Sequence, residues 1–404
     1  MKTEKKLNMP MTTFSLRPNY QLKEKELLEK WKTENTFLLA NNSNKQNETF
    51  CLHDGPPYAN GSVHMGHALN KVLKDCVVKY NLLNGKYVDF RPGWDCHGMP
   101  TELMVEKKYG KKDVSELRQK CEFFALSQMK KQMDVFEKFG VFADWDKKYL
   151  TMDSHYERKE LEVLYKMHND GLLFFDKRPV YYSHATHTVL AESELEYMNV
   201  ETQTVYLKFK LENGLHLLVW TTQPWTLLGN VAVAVNENFV YSVVSVNGEK
   251  MVTLNPEKLE YDKLEYTLKG SDLVGLKYFN PLTNKQSKVV HGNFVTMKDG
   301  TGAVHLCPQH GEEDYYLCKQ LNLEYGEELL DNDGCLKGTN LYCFTEGNLY
   351  VMNKLKEFNL FVKDEKLEHS YPHDWRTKTP VFYKLTKQFF VDLNLLKDGV
   401  NNQL

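Results

Sequence analysis

Hydrophobic and polar positions follow two different rhythms along this chain, and the change between them divides it. The stretch "NYQLKEKELLEKWKTENTF" sets Leu22, Leu27, Leu28 and Trp31 near helical spacing among charges, which predicts one helix. "NNSNKQNE", residues 41 to 48, is polar and predicts a loop; "TFCLHDG" is a short strand running into a Gly/Pro turn. From Met65 the apolar positions are Met65, Ala68, Leu69, Val72, Leu73, Cys76, Val77 and Tyr80, the series of an amphipathic helix that stops at Asn84-Gly85. "KYVDFRPGWDCHG" adds a strand and loop, and charged helical sequence continues to about residue 175. Strand, loop, helix, strand is the signature of an α/β unit with a parallel sheet.

After "DKRPVYYSHATHT" the period becomes that of strands. "TVYLKFKL", "LHLLVW", "VAVAVNENFVYSVVSV", "KMVTLN" and "QSKVVHGNFV" alternate or run apolar at strand length between Gly, Asn and Pro turns. This β-rich region reaches about residue 380 and reads as a separate domain, with no fixed-period repeat or low-complexity tract. The organisation expected is an N-terminal helical extension (1–48), an α/β first half (49–176), a β-rich insert (177–382), and a return toward the α/β fold (383–404). The closing "KDGVNNQL" reads as a cut in a longer fold.

Composition adds bounds. At 404 residues, two or more domains are expected. Hydrophobic content of 42% and charged content of 26% exclude disorder as the general reading. Net charge is -3, so a polyanion must be met by a local patch and not by global attraction. No apolar run is long enough to span a bilayer, and "MKTEKKLNMPMTTF" has no apolar core of a secretory signal. Scattered cysteines without a C-x-x-C pair suit reduced thiols, hence a cytoplasmic location and no membrane partner.

The densest chemistry lies in "GPPYANGSVHMGH", residues 55 to 67. His64, Gly66 and His67 fall where loop becomes helix, so backbone N–H groups are unpaired and the helix dipole is positive, an arrangement that attracts phosphate. Gly66 lets a flat ligand approach the backbone. His64 and His67 share one face, with Lys71 four residues on. Imidazole N–H groups aimed at a transferring phosphoryl group stabilise charge that grows in the transition state. A bare H-x-G-H is more often a pair of surface histidines, but the Pro-Pro turn and flanking glycines fix the loop.

"GPPYANGSVHMGHALNKVLKD" resembles the H-x-G-H signature of class I aminoacyl-tRNA synthetases, and its lead-in is similar to the isoleucyl enzymes; "FRPGWDCHGMPTE" resembles that family's next block. The resemblance implies a Rossmann-like nucleotide-binding domain, ATP with Mg2+ as substrate, and isoleucine and tRNA(Ile) as partners. It places Pro56, Tyr58 and Gly66 at the adenylate site and His64 and His67 on the ATP phosphates. Asp95 then holds the α-ammonium of the amino acid, as a carboxylate at a strand end can.

In the insert, "VWTTQPWTLLGNVAVAV" (219–235), "GTGAVHLCPQHGEEDY" (300–315) and "SYPHDWRTKTPVFY" (370–383) resemble the editing domain of the isoleucyl family. Carried over, Thr221, Thr222 and Asn230 line an editing pocket, His305 faces the mischarged side chain, and Asp314 anchors its ammonium. The need is physical: valine is one methylene smaller than isoleucine, a difference worth about 1–3 kcal/mol, for which this pair is the reference case. Hydrolysis there needs a fixed water more than a nucleophile, and no G-x-S-x-G or Cys/His signature is present.

The chain departs from the family at several positions. Gln223 stands where a third Thr is common, and Leu228-Gly229 replaces Pro-Ala. Many bacterial members carry a zinc-type C-x-x-C where this chain has Ser183 and Thr186; His184 and His187 remain, and two histidines without thiolates make a poor structural zinc site, so no zinc is expected. The Lys-rich K-M-S-K-S loop is absent from the sequence, so residues 1–404 alone are not expected to sustain aminoacylation. Two other functions stand beside the ligase: a deacylase formed by the editing module, and a silent remnant that only binds a nucleotide or partner.

Overall fold

The computed structural model describes residues 19–297, 300–395 and 397. The readings of residues 1–14 as free of a secretory signal and of "KDGVNNQL" as a cut, its first lysine apart, fall outside the described residues. The chain divides into two compact units, Met1–Gly171 and Leu172–Leu404.

In the first unit, α1 (Tyr20–Glu34) and α2 (Thr36–Ser43) replace the single helix expected. Asn35 interrupts it in the left-handed conformation, φ 54°, which Asn adopts more readily than most residues. Strand β1 (Thr49–Leu52) leads through the Gly/Pro turn into α3 (Met65–Leu83), and β2 (Tyr87–Phe90) returns parallel to β1, with Thr49 opposite Tyr87 and Leu52 opposite Phe90. Then come β3 (Gly93–Trp94), α4 (Met99–Tyr109), α5 (Val114–Lys138), β4 (Tyr149–Leu150), which pairs in parallel with β3, and α6 (Ser154–Asn169). Parallel pairs joined by helices make this unit α/β, as expected. Trp94, Ala125, Met129 and Phe136 form one core, and Val78, Leu82, Val88 and Phe90 another.

Helix α3 forms where the periodicity places it, but its apolar stripe does not face the core. Met65, Leu69, Leu73 and Tyr80 are 82%, 64%, 57% and 69% exposed, whereas Lys71, Asp75, Val78, Asn81 and Leu82 are buried. An amphipathic helix ordinarily buries its apolar face. Here the inner face is held by polar partners. Lys71 meets Asp54, while the Asp75 carboxylate accepts from the Phe142 amide and pairs with Lys79.

The second unit contains β5 (Leu173–Ser183), β6 (Thr188–Leu190), β7 (Leu195–Lys210), β8 (His216–Thr221), β9 (Ala232–Val235), β10 (Val240–Val246), β11 (Glu249–Thr253) and β12 (Lys263–Lys269). It continues with β13 (Lys277–Asn280), β14 (Lys285–His291), β15 (Ala303–Leu306), α7 (Glu312–Gln320), α8 (Asn348–Glu357), β16 (Phe361–Asp374) and β17 (Phe382–Val391). A six-stranded sheet runs β12-β10-β11-β8-β7-β16, a four-stranded one β13-β14-β9-β15, and a three-stranded one β17-β5-β6. Sheet order is mixed: β14 runs parallel to β9, while β15 pairs with it antiparallel. The main core lies between the six-stranded and four-stranded sheets and is built from inward residues such as Val205, Leu207, Val219, Val233, Val243 and Val289. Among the described residues no helix is long and apolar enough to cross a membrane.

Candidate functional site

In the first unit, the two histidines cap the helix they begin. The Nδ1 of His64 accepts from the Gly66 amide at 3.1 Å, and the Nδ1 of His67 accepts from the His64 amide at 3.3 Å. This is a capping box built from imidazoles where Ser and Glu are usual. Each Nδ1 must present its lone pair, so in the neutral ring the proton resides on Nε2. The rings stack with centroids 3.9 Å apart. Burial, then the His64 ring, then Lys71 push the His67 imidazole below its ordinary pKa, which favours the neutral donor. A Cβ on Gly66 would fall 2.9 Å from the His64 ring, so the glycine also makes room for the cap.

A buried charge cluster absent from the sequence reading anchors this helix end. Asp54 is 1% exposed and accepts from Lys71 Nζ at 2.5 Å, Lys74 Nζ at 2.6 Å and the Gly93 amide at 3.0 Å. Burial pulls the Lys71 ammonium below its ordinary range, while Asp54 works to restore it. Lys71, read from sequence as a neighbour of the histidines, is consumed here. The Tyr149 hydroxyl donates to the Asp54 carbonyl at 2.7 Å, and its ring leaves no room for a side chain at Gly93.

Tyr58 and Asp95 meet in a parallel bridge: the Ala59 amide donates to the Asp95 carbonyl at 2.8 Å and the Asp95 amide to Pro57 at 2.9 Å. The Gly/Pro loop carrying Pro56 and Tyr58 is thus fixed beside Asp95. Gln132, also missed from sequence, donates to the carbonyls of Tyr58 and Gly61 at 3.0 and 2.7 Å and accepts from Trp94 Nε1 at 3.0 Å. The Asp95 carboxylate is half-buried, lightly held by the His97 amide and the Thr151 hydroxyl at 3.3 and 3.5 Å, and so free to take a cation.

In the second unit, β8 ends at Thr221, whose Oγ1 accepts from the Gln223 amide at 3.1 Å; Thr222 beside it is half-buried. Gln223 Nε2 donates to the Tyr371 hydroxyl at 2.9 Å. Thr226, which the sequence reading passed over, donates to the Gln223 carbonyl at 2.7 Å and lies 2.8 Å from His305 Nε2. With its one proton on that carbonyl, Thr226 must accept from His305, leaving His305 Nδ1 as a bare acceptor. Nδ1 is buried with no partner, and burial depresses the imidazole to about 4.

Asp314 sits in the first turn of α7 and accepts from the Cys307 amide at 2.8 Å. Desolvation pushes its carboxyl up to about 6 against that hydrogen bond. Asn230 is placed differently. Its amide donates to the Ala232 carbonyl at 2.8 Å and accepts from Tyr278 at 2.7 Å and Asn280 at 3.1 Å. Its side chain is therefore committed to the core. A cavity of about 740 Å³ is lined by Asn230, Lys277, Ser287 and Glu328 but by none of Thr221, Thr222, His305 or Asp314. A second imidazole, the half-buried His310, donates from Nδ1 to the Tyr383 carbonyl at 2.6 Å and packs against Trp225 with ring centroids 4.6 Å apart. The "CPQHGEED" run was its visible signal. Among the described residues no three His, Cys, Asp or Glu side chains are grouped to hold a metal.

Residues 26–404 match the family model described as tRNA synthetases class I (I, L, M and V). Curated relatives include the isoleucine–tRNA ligases of Ureaplasma parvum serovar 3, 37% identical over 98% of this chain and 46% of the relative, and of Petrotoga mobilis, 39% identical over 96% and 44%. That of Aquifex aeolicus is 38% identical over 96% of this chain and 45% of the relative. The chain thus spans a little under half the length of the relatives it matches. With the family model covering all of the second unit and most of the first, over a pair of imidazoles that cap a helix beside an anchored Gly/Pro loop, the chain belongs to the class I tRNA synthetases of the I, L, M and V group.

Proposed function

We propose that this chain serves isoleucine–tRNA ligation: ATP-dependent formation of isoleucyl adenylate, and correction of valyl esters on tRNA(Ile). The observation that carries the first activity is the reciprocal imidazole cap. It fixes both rings as Nε2–H donors at a helix start, where the dipole also favours anions. In the reaction the isoleucine carboxylate attacks the α-phosphorus of ATP; the bond to the β-phosphate oxygen breaks and pyrophosphate leaves with its charge. His64 and His67 donate to the phosphate oxygens on which negative charge accumulates, Gly66 keeps the ring of His64 in place, and Asp95 holds the α-ammonium. Mg2+ arrives with the nucleotide. Pro56 and Tyr58 form the wall of the adenylate site.

The test is calorimetric titration of the chain with a non-hydrolysable isoleucyl adenylate analogue. Saturable binding, tighter than for the valyl analogue and weakened at least tenfold by Asp95→Asn, is the expected result. Equal affinity for both, or no effect of Asp95→Asn, would overturn the assignment.

One observation favours a second reading, a deacylase confined to the second unit. The Thr226–His305 pair leaves an unpartnered buried acceptor on the same strand that leads to Asp314. An acceptor of that kind can orient an attacking water, while Asp314 holds the ammonium of valine. Hydrolysis of valyl-tRNA by the chain in the absence of adenylate binding would select this reading over the ligase.

A further inference from the structure

The family resemblance puts a zinc-type pair where this chain has Ser183 and Thr186, and the structure lets that donor set be tested. Two turns face each other there. One joins β5 to β6 through residues 184–187, with His187 in the left-handed region at φ 53°. The other follows β16 at Asp374 and closes with the Lys378 amide on the Asp374 carbonyl at 2.8 Å and the Asp374 amide on the Thr379 carbonyl at 2.9 Å. Neutral hydroxyls are not zinc ligands. The histidines of the first turn are directed elsewhere. His184 Nε2 lies 3.3 Å from the Tyr342 hydroxyl, and His187 Nε2 lies 3.0 Å from the Asp333 carboxylate. The residues present do not fit a structural zinc.

What they do fit is a carboxylate. Asp374 and Ser183 are both 0% exposed. One carboxylate oxygen, Oδ1, takes the amides of its own turn, Arg376 at 2.8 Å and Thr377 at 3.4 Å. The other, Oδ2, takes the opposite turn through the hydroxyls of Ser183 at 2.8 Å and Thr186 at 3.4 Å. The pattern is symmetric in sequence: 183 and 186 from one side, 374 and 377 from the other. Burial alone would raise the Asp374 carboxyl, but these donors outweigh it and hold the group below its ordinary range. No side-chain cation is needed for this, since the Arg376 guanidinium is engaged by Glu194 at 3.0 Å.

We propose that Asp374 takes the place of a metal ion in this chain, cross-linking the 183–187 and 374–379 turns through hydrogen bonds alone, so that the knuckle is metal-independent. The tie also has a route toward the Thr221–Gln223 loop. Three residues before Asp374 on β16, the Tyr371 hydroxyl donates to the Val381 carbonyl at 2.9 Å and receives Gln223 Nε2. The proposal does not depend on what that loop does.

The experiment uses the full chain. Elemental analysis after gel filtration should find far less than one zinc per chain, and neither a strong chelator nor added zinc should move the thermal midpoint. Asp374→Asn should lower that midpoint by roughly 3–10 °C, since buried donors lose their acceptor. Ser183→Ala should lower it less, and Ser183→Thr should restore it. The double variant Ser183→Ala/Asp374→Asn should fall short of the sum of the single effects, because the two share one hydrogen bond. If Asp374→Asn does not fold, Ser183→Ala and its Ser183→Thr rescue still give the result. Stoichiometric zinc with a chelator-driven fall in midpoint would overturn the proposal, and so would unchanged midpoints in both single variants or strictly additive effects.

Discussion

The two units use histidine in opposite ways. In the first, His64 is exposed and His67 half-buried, and each ring spends its Nδ1 on an amide of the helix start, leaving its proton on Nε2. In the second, His305 is 7% exposed, spends its Nε2 on Thr226 and keeps a bare Nδ1 inside. One arrangement offers donors to an anion; the other offers an acceptor to a donor. The supporting charges differ in the same sense. Behind the first pair stands a solid ionic anchor, Asp54 with Lys71 and Lys74, whereas around the second the ionisable groups are pushed toward their neutral forms. Phosphate chemistry needs a rigid, positively biased rim. Burial with few polar partners, by contrast, disfavours charge around His305.

The sharpest way to break that contrast is to remove the anchor. Asp54→Asn leaves Lys71 buried without a counter-charge and should destabilise the first unit by about 3–5 kcal/mol. Urea unfolding followed at Trp94, which lies in that unit's core, reads the loss directly. A change below about 1 kcal/mol, within the range of ordinary surface pairs, would mean that the cluster anchors nothing.

Acidification sharpens the comparison from the other side. His305 titrates near 4 in the folded chain, so between its ordinary value and about 4 the unfolded chain binds a proton that the folded chain refuses. Stability tied to this group is therefore lost as pH falls from about 6.5 to 4. Asp314 acts oppositely. Its carboxyl is raised to about 6, so the folded chain holds a proton there that the unfolded chain has released; this contribution is present at low pH and lost as pH rises through about 6. His305→Asn should flatten the acid limb of the second unit's stability profile by on the order of 2 kcal/mol. Asp314→Asn should steepen it. Identical limbs in both variants would show that neither group carries its shift into folding.

Much of this was legible from residue types and spacing. The start of α3, the Gly/Pro loop and the strands around residues 204–295 stand where turn residues and period put them, because these signals are local. What escaped depended on partners far along the chain. Asp54 reads as an unremarkable loop acid until Lys71 and Gly93 fold onto it; Gln132 sits inside a helix with nothing to mark it as the clamp on Tyr58 and Gly61. Asn230 carries a family position, yet its amide is taken up by Tyr278 and Asn280, fifty residues on. Thr226 was overlooked because its meaning lies in the tautomer of His305. Periodicity located α3 but could not say which face turns inward, since burial of a lysine is decided by its partner.

Smaller effects probe the first site's finish. Gly66→Ala sets a Cβ against the His64 ring, 2.9 Å away, in a backbone conformation that alanine tolerates. The helix should therefore survive while the ring swings off its amide. Affinity for the adenylate analogue should drop roughly tenfold, about 1.4 kcal/mol, with stability nearly unchanged. A loss of stability without a loss of affinity would reverse the roles assigned to the glycine and the cap.

The smallest expected effect is also the one that tests the reading of α3. Leu73 is 57% exposed and Leu69 64%, on a face where the periodicity alone would place core. Lys71, between them in sequence, is 1% exposed. If that inversion is right, Leu73→Gln should alter the stability of the chain by no more than about 0.5 kcal/mol, as surface substitutions do. A core leucine replaced by a polar amide would cost several times as much, because cavity and desolvation terms add. The two outcomes are well separated, and urea unfolding of Leu73→Gln beside Asp54→Asn distinguishes a helix held by its charges from one held by its apolar stripe.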